Sequence, residues 1–113
     1  MAFVLKQSAS YTWPVTVEFP TDGGRFEKHT FDAEFKRLSQ TRIEGIMADA
    51  VANQLKDGEV AAEVLIGWKG VTDGGADIPY SETGKAELLE VPLVAASVIK
   101  AWMESLSGAK RKN

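Results

Sequence analysis

The chain has 113 residues, no cysteine, and 13 Lys+Arg against 16 Asp+Glu, a formal net charge of -3 at pH 7. That length suits one domain with a single core and no staples, the missing thiols exclude disulfides and thiolate metal sites, and the acidic balance disfavours nucleic-acid binding, which needs a basic face. No apolar run approaches the ~20 residues of a membrane span, and the start, Met1-Ala2-Phe3-Val4-Leu5-Lys6, lacks a basic n-region and a cleavage site, so an intracellular protein is expected.

The first third alternates. Trp13, Val15, Val17 and Phe19 fall on one side of Tyr11–Pro20, a period of two rich in β-branched and aromatic residues, which predicts a strand. Pro14 suits the start of a strand or a sheet edge. Thr21-Asp22-Gly23-Gly24 supplies turn chemistry. The return strand runs from Arg25 to Phe35 with Phe31, Ala33 and Phe35 directed inward. Phe3-Val4-Leu5 is a candidate third strand beside this hairpin.

The period then changes to helical. Ile43, Ile46, Met47, Ala50, Val51, Gln54 and Leu55 share one face. Ser39 or Thr41 can cap that helix, and Thr41-Arg42-Ile43-Glu44 fits a capping box. Asp57-Gly58 is expected to end it. Glu59 to Trp68 reads two ways: Ala61 and Ala62 favour a helix, whereas Val64-Leu65-Ile66 suits a short buried strand. The helix is preferred on length.

Thr72–Asp77 reads as a turn, and Ser81 as the cap of a short helix through Leu88 or Leu89, weakened by Gly84. Pro92 opens the last helix, whose stripe is Val91, Val94, Ala95, Val98, Ile99, Trp102, Met103 and Leu106, and Gly108 stops it. The predicted fold is α+β: an N-terminal antiparallel hairpin or small sheet, then three to four helices. One domain is expected, β-rich over 1–36, mainly helical over 39–107, with a flexible basic tail over 108–113 that carries Lys110-Arg111-Lys112.

Catalytic and metal chemistry finds little support. His29 is the only histidine and reads as solvated on the hairpin. No Gly-x-Ser-x-Gly elbow occurs. Glu82-Thr83-Gly84-Lys85-Ala86 fails as a phosphate loop, since Pro79 stands where the first Gly is needed and Ala86 where a hydroxyl is needed. Asp73-Gly74-Gly75-Ala76-Asp77 lacks the ligand pattern of a calcium loop. Glu59, Glu63, Glu82, Glu87 and Glu90 read as a solvated acidic face. No catalytic, cofactor-binding or metal-binding residue is expected. Trp102 belongs to the core stripe, and Trp13 to the sheet face, partly exposed. Trp68 stands beside Gly67 and Lys69-Gly70, and reads either as a partner anchor or as a lid on the core.

Gly67-Trp68-Lys69-Gly70-Val71-Thr72-Asp73, then Gly75, then Ile78-Pro79-Tyr80-Ser81, resembles the tail assembly chaperones of long-tailed bacteriophages (siphoviruses and their prophages). The Leu-rich turn Glu87-Leu88-Leu89 and the final helix with Val98-Ile99-Lys100-Ala101-Trp102 fit the same layout, so the likeness covers most of the chain. Thr83-Gly84-Lys85 departs from it, where better helix formers are common in the family, and this bears on helix length. The resemblance implies a non-enzymatic protein of the host bacterial cytoplasm. It would bind the tape measure protein, a long apolar helical chain, help recruit tail tube protein, and be absent from the mature virion. A longer frameshifted form is common in the family, and this chain would be the short form. The expected contact surface centres on Trp68, Gly70, Val71 and Tyr80. Self-association is expected from the apolar content. The alternative is a virion structural protein, such as a minor tail or head-tail connector subunit.

Overall fold

The computed structural model describes residues 3–52 and 56–107. Strands β1 (Ser10–Thr21) and β2 (Arg25–Lys36) form the hairpin, joined through a single 3-10 turn at Asp22–Gly24 in which Gly23 and Gly24 take φ of 81° and 78°. Helices α1 (Gln40–Val51) and α2 (Asp57–Val64) follow, then β3 (Leu65–Lys69). A two-stranded ribbon, β4 (Thr72–Asp73) and β5 (Ala76–Asp77), precedes α3 (Glu82–Glu90) and α4 (Val94–Ser107). The main sheet has the order β1-β2-β3, antiparallel throughout, so the architecture is α+β as the patterning predicts.

Alternation decides the faces. Val15, Val17, Phe31, Ala33 and Phe35 are buried, while Thr12, Pro14, Thr16, Asp32 and Lys36 between or beside them are exposed. Helix α4 lies on the inner face of β1 and packs against α2 and α3. Its Val94, Val98, Ala101 and Trp102 are buried; each large one removes apolar area worth about 2 kcal/mol from water. Val60, Val64 and Leu65 complete the core around Trp102 and Phe35. The far end of the hairpin, from Pro20 to Thr30, extends beyond this core with every residue exposed.

Several expectations are corrected. Phe3-Val4-Leu5 forms no strand; Phe3 and Leu5 are 85% and 89% exposed, and the strand that joins the hairpin is β3. Glu59–Trp68 is therefore divided between helix and strand, because Ala61 and Ala62 favour helix until the chain reaches the open edge of β2. The segment 39–107 accordingly contains strands as well as helices. Asp57-Gly58 does not end α1 but begins α2, where the carboxylate of Asp57 favours the helix N-terminus. The cap of α1 is Ser39, whose hydroxyl accepts from the Arg42 N–H at 3.1 Å, so Thr41 and its capping box play no part. The α4 stripe is covered only in part: Met103 and Leu106 are 42% and 43% exposed, and Val91 precedes the helix. Pro92 does not open α4 either, because Leu93 takes φ 78° between them and the helix starts at Val94. Gln54, Leu55, Gly108 and the basic tail lie outside the described residues.

Candidate partner-binding surface

The residues expected to touch a partner divide into two groups. Trp68 sits on β3 opposite Ala33, which itself faces Trp13 on β1, so one small residue separates two indoles across the inner face. Trp68 is 9% exposed, and its Nε1–H donates to the Ile78 carbonyl at 2.8 Å. Tyr80 meets it edge-on, with centroids 5.0 Å apart at 76°. Trp68 therefore closes the core and holds the 78–80 segment against the sheet. Tyr80 is half-buried, and its hydroxyl donates to Glu82 Oε2 at 2.8 Å. Burial first, then the hydrogen bond and charge of Glu82, push its phenol up to about 12.

Lys85 completes this knot. Its Nζ donates to the carbonyls of Ala62 at 2.7 Å and Leu65 at 3.1 Å, stands 3.6 Å from Glu82 Oε1, and lies 5.9 Å from the centre of the Tyr80 ring. It is a buried lysine that closes the C-terminal end of α2, where carbonyls lack helical partners and the dipole favours a cation. Lys85 of the Thr83-Gly84-Lys85 stretch is thus a structural residue. Helix α3 runs unbroken to Glu90 with Ser81 Oγ accepting from the Gly84 N–H at 2.9 Å. Nothing in the sequence pattern marked Lys85 for this role, because a lysine on a short helix reads as solvated.

Gly70 and Val71 belong to a different place. Gly70 takes φ +86°, which turns the chain away from β2 just beyond the last β3 pair, Asp32 with Lys69. Val71 then lines a cleft of about 370 Å³ with Val17, Phe19, Phe31, Leu88 and Val91. His29 stands at its rim, edge-on to Phe19 at 5.2 Å, with Nε2 3.2 Å from Glu27 Oε1 and its side chain 59% exposed. Beside the cleft, the turn between α3 and α4 exposes Val91 (39%) and Leu93 (48%). Leu93 has φ 78°, a left-handed conformation that is rare for a bulky L-residue.

A second cleft, of about 530 Å³, opens at the other end of the sheet between Tyr11, Trp13, Leu38, Ile43 and Leu106. The buried Trp13 Nε1 has no hydrogen-bond partner among the described residues. Helices α1 and α2 are tied by Arg42, whose Nε and guanidinium NH2 donate to the Glu63 carboxylate at 2.7 and 2.6 Å. That bidentate bond raises the Arg42 pKa and lowers that of Glu63. No helix among the described residues is long and apolar enough to cross a membrane. No protein-family model, no curated protein and no solved structure matches the chain.

Proposed function

We propose that this protein is a non-enzymatic tail assembly chaperone of a long-tailed phage, acting in the host cytoplasm. It binds the apolar helical tape measure protein, assists assembly of the tail tube, and leaves before the virion is complete. The observation that carries the reading is the cleft that Gly70 and Val71 line with Val17, Phe19, Phe31, Leu88 and Val91, with exposed Leu93 two residues along the chain from Val91. Gly70 and Val71 lie in the Gly-Trp-Lys-Gly-Val segment on which the family resemblance rests. A long apolar client left bare would aggregate, and a small domain with an adaptable apolar surface can cover it. Many copies on one client would add avidity. Trp68 and Tyr80 contribute by holding the cleft wall in place, not by touching the client.

The test is co-expression with the tape measure protein of the same genome. Wild type keeps the client soluble and is recovered with it. Leu93→Asp, which puts a charge on the exposed rim in a backbone conformation that Asp tolerates, folds as wild type and loses the client. A client that stays insoluble beside wild type, or equal capture by Leu93→Asp and Val91→Asp, overturns the reading.

A further inference from the structure

The two edges of the hairpin are not alike. Pro14 lies opposite Asp32 in an unbroken antiparallel register. Proline has no N–H, so this pair cannot be a hydrogen-bonded one, and alternation makes Thr16–Thr30, Glu18–Lys28 and Pro20–Phe26 non-hydrogen-bonded as well. The short Thr16 Oγ1 to Thr30 Oγ1 contact of 2.9 Å agrees, since side chains approach most closely in such pairs. The even-numbered residues of β1 therefore turn their backbone groups away from β2, and Pro14 and Pro20 both fall there. The outer edge of β1 is guarded by prolines.

On β2 the same parity turns the N–H and C=O of Phe26, Lys28 and Thr30 outward. β3 covers only the lower part of that edge, up to Asp32. Phe26, Lys28 and Thr30 have no backbone hydrogen bond to another element among the described residues. Their edge carries no proline. It lies in line with β3, and Thr30 itself lines the cleft of Phe31, Val71 and Val91. An added strand here would drop alternate side chains into that cleft.

The chain also carries an exposed apolar segment that packs against no element, bent at Leu5–Lys6 with the Gln7 side-chain amide donating to the Val4 carbonyl at 2.6 Å. Phe3, Val4 and Leu5 are 85%, 63% and 89% exposed, and Phe3 and Leu5 fall on the same side when extended. They cannot reach the open edge of their own molecule. Ser10 pairs with Lys36 and Thr16 with Thr30, so the edge begins roughly 20 Å up the strand and roughly 10 Å across the hairpin. The stretch from Leu5 to Ser10 spans at most about 18 Å. A second copy has no such limit.

We propose that Phe3-Val4-Leu5 of one copy adds as a strand to the open edge of β2 at Phe26–Thr30 in a second copy, with Phe3 and Leu5 in the cleft. The contact joins unlike surfaces, so it repeats head to tail. It is small beside a standard interface of about 1,200–2,000 Å², so association is weak and concentration-dependent. The cleft is the one offered to the client, so self-association and client capture compete for it, and the self-contact stands whatever the client is.

The test is sedimentation of the full chain over a concentration series. Wild type rises in mean mass with concentration. Lys28→Pro blocks the edge at a position whose N–H lies outside the β1–β2 ladder. Phe3→Ser with Leu5→Ser removes the donor at exposed positions. Each variant keeps the wild-type circular dichroism and melting temperature and stays monomeric. An equimolar mixture forms a one-to-one dimer, because each chain retains the half that the other lacks. A wild type that is monomeric throughout overturns the proposal, as does association that survives either variant or a mixture that fails to pair.

Discussion

The ammonium of Lys85, on α3, donates to the Ala62 carbonyl 2.7 Å away at the C-terminal end of α2. One side chain thus joins two helices and, through the Leu65 carbonyl at 3.1 Å, the start of β3. Lys85→Met keeps most of the apolar stem and leaves both carbonyls without their charged donor. The expected loss is about 2 kcal/mol, read as a lower urea midpoint with an unchanged slope.

Trp68→Ala is expected to act on the fold and not on a partner. The residue is 9% exposed and its indole N–H is bonded within the chain, so truncation costs about 3–5 kcal/mol, a large share of the roughly 5–15 kcal/mol that stabilises a small domain. The measurement is a thermal melt. A melting temperature equal to wild type would show that Trp68 does not close the core.

Tyr80 gives an alkaline signature. Its phenol is held neutral in the folded chain up to about 12, against about 10 in the unfolded chain. The unfolded state therefore loses that proton first. The contribution is complete below pH 10 and is lost as pH rises from 10 through 12. The difference in stability between wild type and Tyr80→Phe should change across that interval and stay flat between pH 6 and 9.

Glu63 gives the acid counterpart. Its carboxyl is lowered, chiefly by the hydrogen bond from Arg42, and Arg42 stays charged throughout. The contribution is present above the unfolded carboxylate pKa, about 4.3, and disappears as pH falls through the lower folded value. The advantage of wild type over Glu63→Gln should be small, because the pair is partly solvated. It should vanish in acid and weaken with salt, as urea midpoints at several pH values will record.

The hairpin was legible because one face is buried: a period of two through Val15, Val17, Phe31, Ala33 and Phe35 leaves no other register. Helices α1 and α3 were legible from period and from their Ser39 and Ser81 caps, and α4 from its period alone. What the sequence hid was long-range. β3 exists because β2 offers an edge at Asp32–Phe35, and local propensity at Ala61-Ala62-Glu63 points the other way. Phe3-Val4-Leu5 has strand composition but no edge within reach. Asp57-Gly58 suits the end of one helix as well as the start of the next. At the predicted contact site, Gly70 and Val71 do line a cleft, whereas Trp68 proves to be core, since an aromatic between glycines looks the same in sequence whether the glycines free it or make room around it. Gly67 in fact makes room for Glu34, whose Oε1 lies 2.6 Å from where a Cβ on Gly67 would be, and the glycine against the indole is Gly84, where a Cβ would lie 3.5 Å from the ring.

Quantitative mass spectrometry of phage-producing cells, comparing the lysate with purified particles, tests the chaperone account most directly. The account predicts abundant protein in the lysate, bound to tape measure chains, and none at stoichiometric level in finished particles. A fixed number of copies per mature virion would contradict it.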